Sequence, residues 1–76
     1  MDKKAVALGV LAKVSGKDQA ALSPEMELVA DLGIDSPKGL QLLSELEEKL
    51  QTEISDEDAA KMNTVADILS FVAQLG

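Results

Sequence analysis

The chain has 76 residues, 46% of them apolar, with Phe71 as its single aromatic residue and no Cys, His, Trp or Tyr. That length makes one domain, residues 1–76, with a thin stability margin, because so short a chain buries only about 60–65% of its unfolded surface. Missing Cys and His exclude a disulfide staple, an ordinary zinc site and Ser-His or Cys-His nucleophilic catalysis, and a net charge of −7 argues against binding a nucleic-acid phosphate backbone.

The charge is unevenly spread. Residues 1–24 carry two acids and four Lys, a net of +2, and residues 25–58 carry eleven acids and two Lys, a net of −9. Residues 59–76 balance one of each. The middle of the chain is a negative surface suited to basic protein partners. The apolar run Ala5 to Leu8 is too short to span a membrane, and Lys13 interrupts the N-terminal apolar stretch too early for a signal peptide. The lack of Cys fits a reducing, cytoplasmic compartment.

In chain order, the first predicted helix runs from Asp2 to Val14. Val6, Val10 and Val14 recur every fourth residue, Leu8, Leu11 and Ala12 widen the stripe, Asp2 suits the positive end, and Gly16 marks the stop. Gly9 inside it costs up to about 1 kcal/mol relative to Ala, which close packing would explain. Residues 17–35 form a long connection, and Ser23-Pro24-Glu25 predicts a short helical turn within it. Leu22, Leu28, Val29 and Leu32 are expected to pin it to the core.

A second helix is predicted from Ser36 as N-cap, with Pro37 at the first helical position, to Leu50 or Gln51. Leu40, Leu43, Glu47 and Leu50 fall along one face, with Leu42 and Leu46 beside it. Ser55 with Asp58 three residues on resembles a capping box for a short helix from Asp56 to Met62. The last helix starts at Asn63 or Thr64. Thr64 as cap would put Asp67 at the third helical position, and Val65, Ile68, Leu69, Val72 and Leu75 form its apolar stripe. Four helices and no strand pattern give an all-α four-helix bundle with a long first loop and a short third helix.

Asp31-Leu32-Gly33-Ile34-Asp35-Ser36 delivers a serine to the start of a helix, where free N–H groups and the helix dipole favour a phosphate on its hydroxyl. By position alone such a serine is an ordinary cap. A calcium loop starting at Asp31 fails, because Ser36 stands at the sixth position and Leu42 at the twelfth.

The hexapeptide resembles the D-L-G-x-D-S signature of acyl carrier proteins. Leu46-Glu47-Glu48, Thr52 to Ala59, Lys61, Met62 and Thr64-Val65 resemble the same family's later helices at the same spacing. The likeness covers residues 31–72 closely and residues 1–30 in pattern. It implies a freestanding, monomeric carrier that catalyses nothing. Ser36 would be esterified with 4'-phosphopantetheine from coenzyme A by a phosphopantetheinyl transferase. The arm's thiol would carry acyl groups as thioesters between enzymes of fatty-acid, related lipid or polyketide biosynthesis. It further implies docking of basic patches on those enzymes against Asp35, Glu47, Glu48, Glu53, Asp56 and Glu57, with Leu40 as an apolar contact near the arm. Leu46, Ile54, Ala59 and Met62 would line a cavity for the acyl chain. Aminoacyl or peptidyl cargo, or an unmodified interaction module, are the alternatives. Pro37 and Lys38 stand where the family usually has Leu and an acid. Gly39 weakens the first turn, Gln41 replaces a common acid, and Ser44 replaces a larger apolar residue. These departures imply a specialised carrier with a restricted set of partners.

Overall fold

The computed structural model describes residues 2–75. They form α1 (Lys3–Ser15), α2 (Ser36–Leu50), α3 (Asp56–Ala60) and α4 (Val65–Ala73), with a 3-10 turn at Gln19–Ala21. No strand is present among the described residues beyond an isolated antiparallel bridge between Glu27 and Thr64. The architecture is the predicted all-α bundle, in which α1 packs against both α2 and α4.

Helix α1 begins where Asp2 accepts a hydrogen bond from the Lys4 N–H, and it ends at Gly16, whose φ of 75° closes the last turn in the left-handed region. It buries Ala7, Val10, Leu11 and Val14, whereas Val6 and Leu8 are half-buried. A Cβ at Gly9 would meet nothing nearer than Gln19 Oε1 at 3.9 Å. Close packing therefore does not account for that glycine.

Helix α2 buries Leu42, Leu46 and Leu50, and Leu40 is 71% exposed. Of the face through Leu40, Leu43, Glu47 and Leu50, Leu50 is buried, Leu43 and Glu47 are half-buried and Leu40 is exposed, and the core row adds the neighbouring Leu42 and Leu46. Both leucine rows have helical spacing, and contact with α1 selects one of them. Lys13 of α1 donates to Glu45 Oε1 at 2.6 Å, on the side of α2 turned about 180° from Ser36. That bond, and the carboxylate charge behind it, hold the Lys13 pKa above its usual value.

Loop 17–35 is tied to the bundle by both side chains and backbone. Leu28, Leu32 and Ile34 are buried, but Val29 is 70% exposed, so it does not anchor the loop as expected. The helical turn expected after Pro24 is a single hydrogen-bonded turn from Ser23 to Met26, and the 3-10 turn lies earlier. The loop also satisfies amides that any helix start leaves unpaired. In α4, Val65 N–H donates to the Met26 carbonyl and Ala66 N–H to the Pro24 carbonyl, each at 3.0 Å. Asp67 N–H donates to Thr64 Oγ1, and the Asp67 carboxylate accepts from the Thr64 and Asn63 N–H groups. Thr64 is thus the cap, in a complete capping box. These backbone bonds, with Asn63 first, hold the Asp67 pKa below its usual value.

Helix α3 stops at Ala60, two residues short of the expected end, and buries no residue fully. Ser55 Oγ accepts from the Asp58 N–H at 3.1 Å, but the return bond of a full box is not formed. The link before α3 leaves α2 through Gln51, a non-glycine residue with φ of 52°.

Candidate functional site

Each residue of the hexapeptide before Ser36 has a structural task. Asp31 Oδ2 accepts from the Glu27 N–H at 2.7 Å and closes the preceding turn. Leu32 and Ile34 anchor the segment in the core. Gly33 sits at φ 65°, where a Cβ would be strained. Asp35, not Ser36, is the N-cap of α2: its Oδ1 accepts from the Lys38 N–H at 3.2 Å. Ser36 is therefore the first helical residue and Pro37 the second, one step later than predicted. A carboxylate beats a hydroxyl as a cap here because it also complements the positive end of the helix.

The shift frees the serine. Ser36 is exposed, and among the described residues its hydroxyl takes part in no hydrogen bond. The expected ring of free N–H groups is largely spent, however. Pro37 has none, that of Lys38 goes to Asp35 Oδ1, and that of Gly39 goes to the Asp35 carbonyl at 2.7 Å. Electrostatic help for a phosphate comes from the helix dipole more than from direct donors, and Asp35 offsets part of it.

Ser36 stands in the wall of an apolar groove of about 410 Å³. Helix α2 contributes Ser36, Gly39, Leu40, Leu42 and Leu43, together with its cap Asp35. The loop adds Leu28, Val29 and Ile34, and the region of α3 adds Ala59 and Met62. Ala59 and Met62 are thus placed where a cavity was expected. Leu46 is fully buried in the core, and Ile54 lies outside the groove. Sequence reasoning did not place Leu28, Val29, Ile34, Gly39, Leu42 or Leu43 at the groove. The spacing of Gly39, one turn beyond Ser36, was the available signal.

The acids assigned to docking come from two helices and the link between them. Asp35 borders the groove, whereas Glu48, Glu53, Asp56 and Glu57 are exposed around the far end of α2 and the start of α3. Glu47 lies about 17 Å along the helix from Ser36. It is half-buried, and its Oε2 accepts from the Ile54 N–H at 2.8 Å, so the structure gives it an internal task that the surface reading overlooked. Among the described residues no group of carboxylates is arranged to hold a metal ion, and no helix is long and apolar enough to cross a membrane.

The site therefore combines an exposed, unbonded serine hydroxyl with an apolar groove beside it. Residues 6–72 match the family described as Phosphopantetheine attachment site. The acyl carrier protein of Syntrophobacter fumaroxidans is 40% identical over 65 residues, covering 86% of this chain and 80% of that protein. That of Helicobacter pylori strain J99 is 41% identical over 63 residues, covering 83% of this chain and 81% of that protein. A Mycobacterium tuberculosis structure described as a candidate acyl carrier protein superposes with a TM-score of 0.89 at 31% identity, covering 99% of this chain and all of that one. The chain belongs to the phosphopantetheine-bearing acyl carrier protein family. It is a carrier and not an enzyme, and it works with acyl-processing enzymes. When bound, the phosphopantetheine arm supplies a thiol that holds acyl groups as thioesters. The residues present fit that group: a reachable hydroxyl, a helix start beneath it and an apolar wall beside it. Aminoacyl or peptidyl cargo and an unmodified module are not favoured.

Proposed function

We propose that Ser36 is the attachment residue and that a phosphopantetheinyl transferase loads it from coenzyme A. The observation that supports this most directly is the exposed, unbonded Ser36 hydroxyl, left free because Asp35 caps the helix. In this reading residues 1–76 act as one carrier domain, monomeric and cytoplasmic. The groove shelters the acyl chain, with Leu28, Leu42, Leu43, Ala59 and Met62 as its apolar walls. The carboxylates of Asp35, Glu48, Glu53, Asp56 and Glu57 attract basic patches on the transferase and on enzymes of fatty-acid, related lipid or polyketide synthesis, and Glu47 adds its charge from a half-buried site. Exposed ion pairs are each worth about 0–1 kcal/mol, so docking is weak and salt-sensitive, as a shuttle requires.

Leu40 and Val29 give docking two exposed apolar contacts at the groove. Pro37, Lys38 and Gln41 are exposed on α2 close to Ser36. Lys38 places a positive charge on a face otherwise suited to basic partners. The carrier is accordingly specialised, with a restricted partner set. Intact mass after incubation with coenzyme A and a transferase tests the attachment: one phosphopantetheine is gained by the wild type and none by Ser36→Ala. An unchanged wild-type mass with several transferases rejects Ser36. Ordinary loading and extension by a general fatty-acid system rejects the specialisation.

A further inference from the structure

Gly39 occupies the centre of the α2 wall of the groove. On a helix, residues three and four apart share a face. The four such neighbours of Gly39 are Asp35, Ser36, Leu42 and Leu43, and every one of them lines the groove, as does Gly39 itself. A side chain at position 39 would therefore project into the groove one turn from the serine. A Cβ built there meets no atom within 4 Å, so the fold leaves room for one. Gly39 does not have the positive φ that would demand glycine; Gly16 and Gly33 do. Neither packing nor backbone conformation requires glycine here, yet its presence weakens the first turns of α2.

We propose that Gly39 is a specificity-determining residue: its missing side chain holds the groove open beside Ser36, so that an aliphatic acyl chain tethered there enters close to its root. This rests on the reading that Ser36 bears the arm. The tether supplies the argument for the occupant, because cargo attached at Ser36 is held at high effective concentration against the wall that contains it. The exposed Val29 and Leu40 lie at the same groove and extend its apolar surface outward. Helix face and burial together put Gly39 inside this cavity, whereas Pro37 and Lys38, on either side of the serine's own stripe, do not line it. Residue 39 thus sets the width of the cargo site, and its neighbours on the outer faces set who docks.

The test loads wild type, Gly39→Ala and Gly39→Leu with acetyl and decanoyl arms, confirms loading by mass, and follows base hydrolysis of each thioester together with the melting temperature. Wild type should hydrolyse decanoyl more slowly than acetyl. Gly39→Leu should lose that protection about fourfold for each methylene it displaces from the groove, with acetyl hydrolysis unchanged. Unloaded Gly39→Ala should melt a few degrees higher than wild type, through helix propensity, and show an intermediate loss. If Gly39→Leu does not fold, Gly39→Ala decides. Wild-type decanoyl hydrolysis rates in both variants overturn the proposal, as does an equal acceleration of acetyl and decanoyl. So does unchanged protection with weakened enzyme docking, which would make the groove a partner's pocket. A wild-type chain that gains no mass removes the Ser36 reading and this one with it, whereas loaded variants with wild-type protection remove this one alone.

Discussion

Replacing Asp35 and Ser36 one at a time by Ala separates the helix cap from the attachment residue. Asp35 Oδ1 accepts from the Lys38 N–H at 3.2 Å, on an exposed residue. Asp35→Ala hands that N–H to water rather than burying it unpaired, so the loss is that of a cap, about 1 kcal/mol. In a domain of this size such a loss lowers Tm by about 4–8 °C. Asp35→Asn keeps the acceptor and forfeits only the charge–dipole part, about 0.3–1 kcal/mol. Ser36→Ala removes a hydroxyl that bonds nothing and introduces the best helix former, so it should change stability by less than about 0.5 kcal/mol. Thermal and urea melts of the unmodified proteins at fixed ionic strength provide the comparison. They must be read by circular dichroism, because the chain has no Trp or Tyr. If Ser36→Ala loses as much as Asp35→Ala, the serine is the cap and the free-hydroxyl reasoning fails.

Three further outcomes follow from the link, the α2 end and the α4 start. Glu47→Ala strips the Ile54 N–H of its carboxylate and should cost about 1–2 kcal/mol, with faster amide exchange at Ile54; Glu47→Gln, which keeps an acceptor, should lose less, and unchanged exchange in the Ala variant would refute the clasp. Gln51→Gly relieves a left-handed non-glycine residue and should stabilise by about 0.5–1 kcal/mol, seen as a higher urea midpoint; no gain would mean the site is unstrained. The lowered pKa of Asp67 means that its capping contribution is fully present above the usual carboxylate value of 3.8 and disappears as pH falls from there through the folded-state pKa. Asp67→Asn should flatten the stability profile in that acid range, and an unaltered slope would contradict the assignment.

Much of the fold was legible because the signals were local. Asp2, Gly16, Ser55 and Thr64 act at the ends they predicted, since capping depends on a few neighbouring atoms. Periodicity identified four helices, but it left open which leucine row of α2 is buried. Leu40 and Leu42 are equally apolar, and their rows differ only in what lies opposite. Val29, expected to pin the loop, is exposed, and Leu46, which the family resemblance assigned to the cavity, is buried in the core. Glu47 looked like any surface acid until the chain's return brought the Ile54 amide to it.

The sequence alone determined that a serine would be delivered to a helix start, next to two carboxylates and a glycine turn, in a chain without Cys or His. Short-range chemistry specifies such things: dihedral freedom, capping and charge. Capping by Asp35, and the free hydroxyl beside it, are local in the same way, although the sequence reading gave the cap to Ser36. Tertiary structure decided that Gly39, Val29 and Met62 meet around one groove. That outcome depends on contacts between segments far apart in the chain, and no spacing rule within a single helix encodes it.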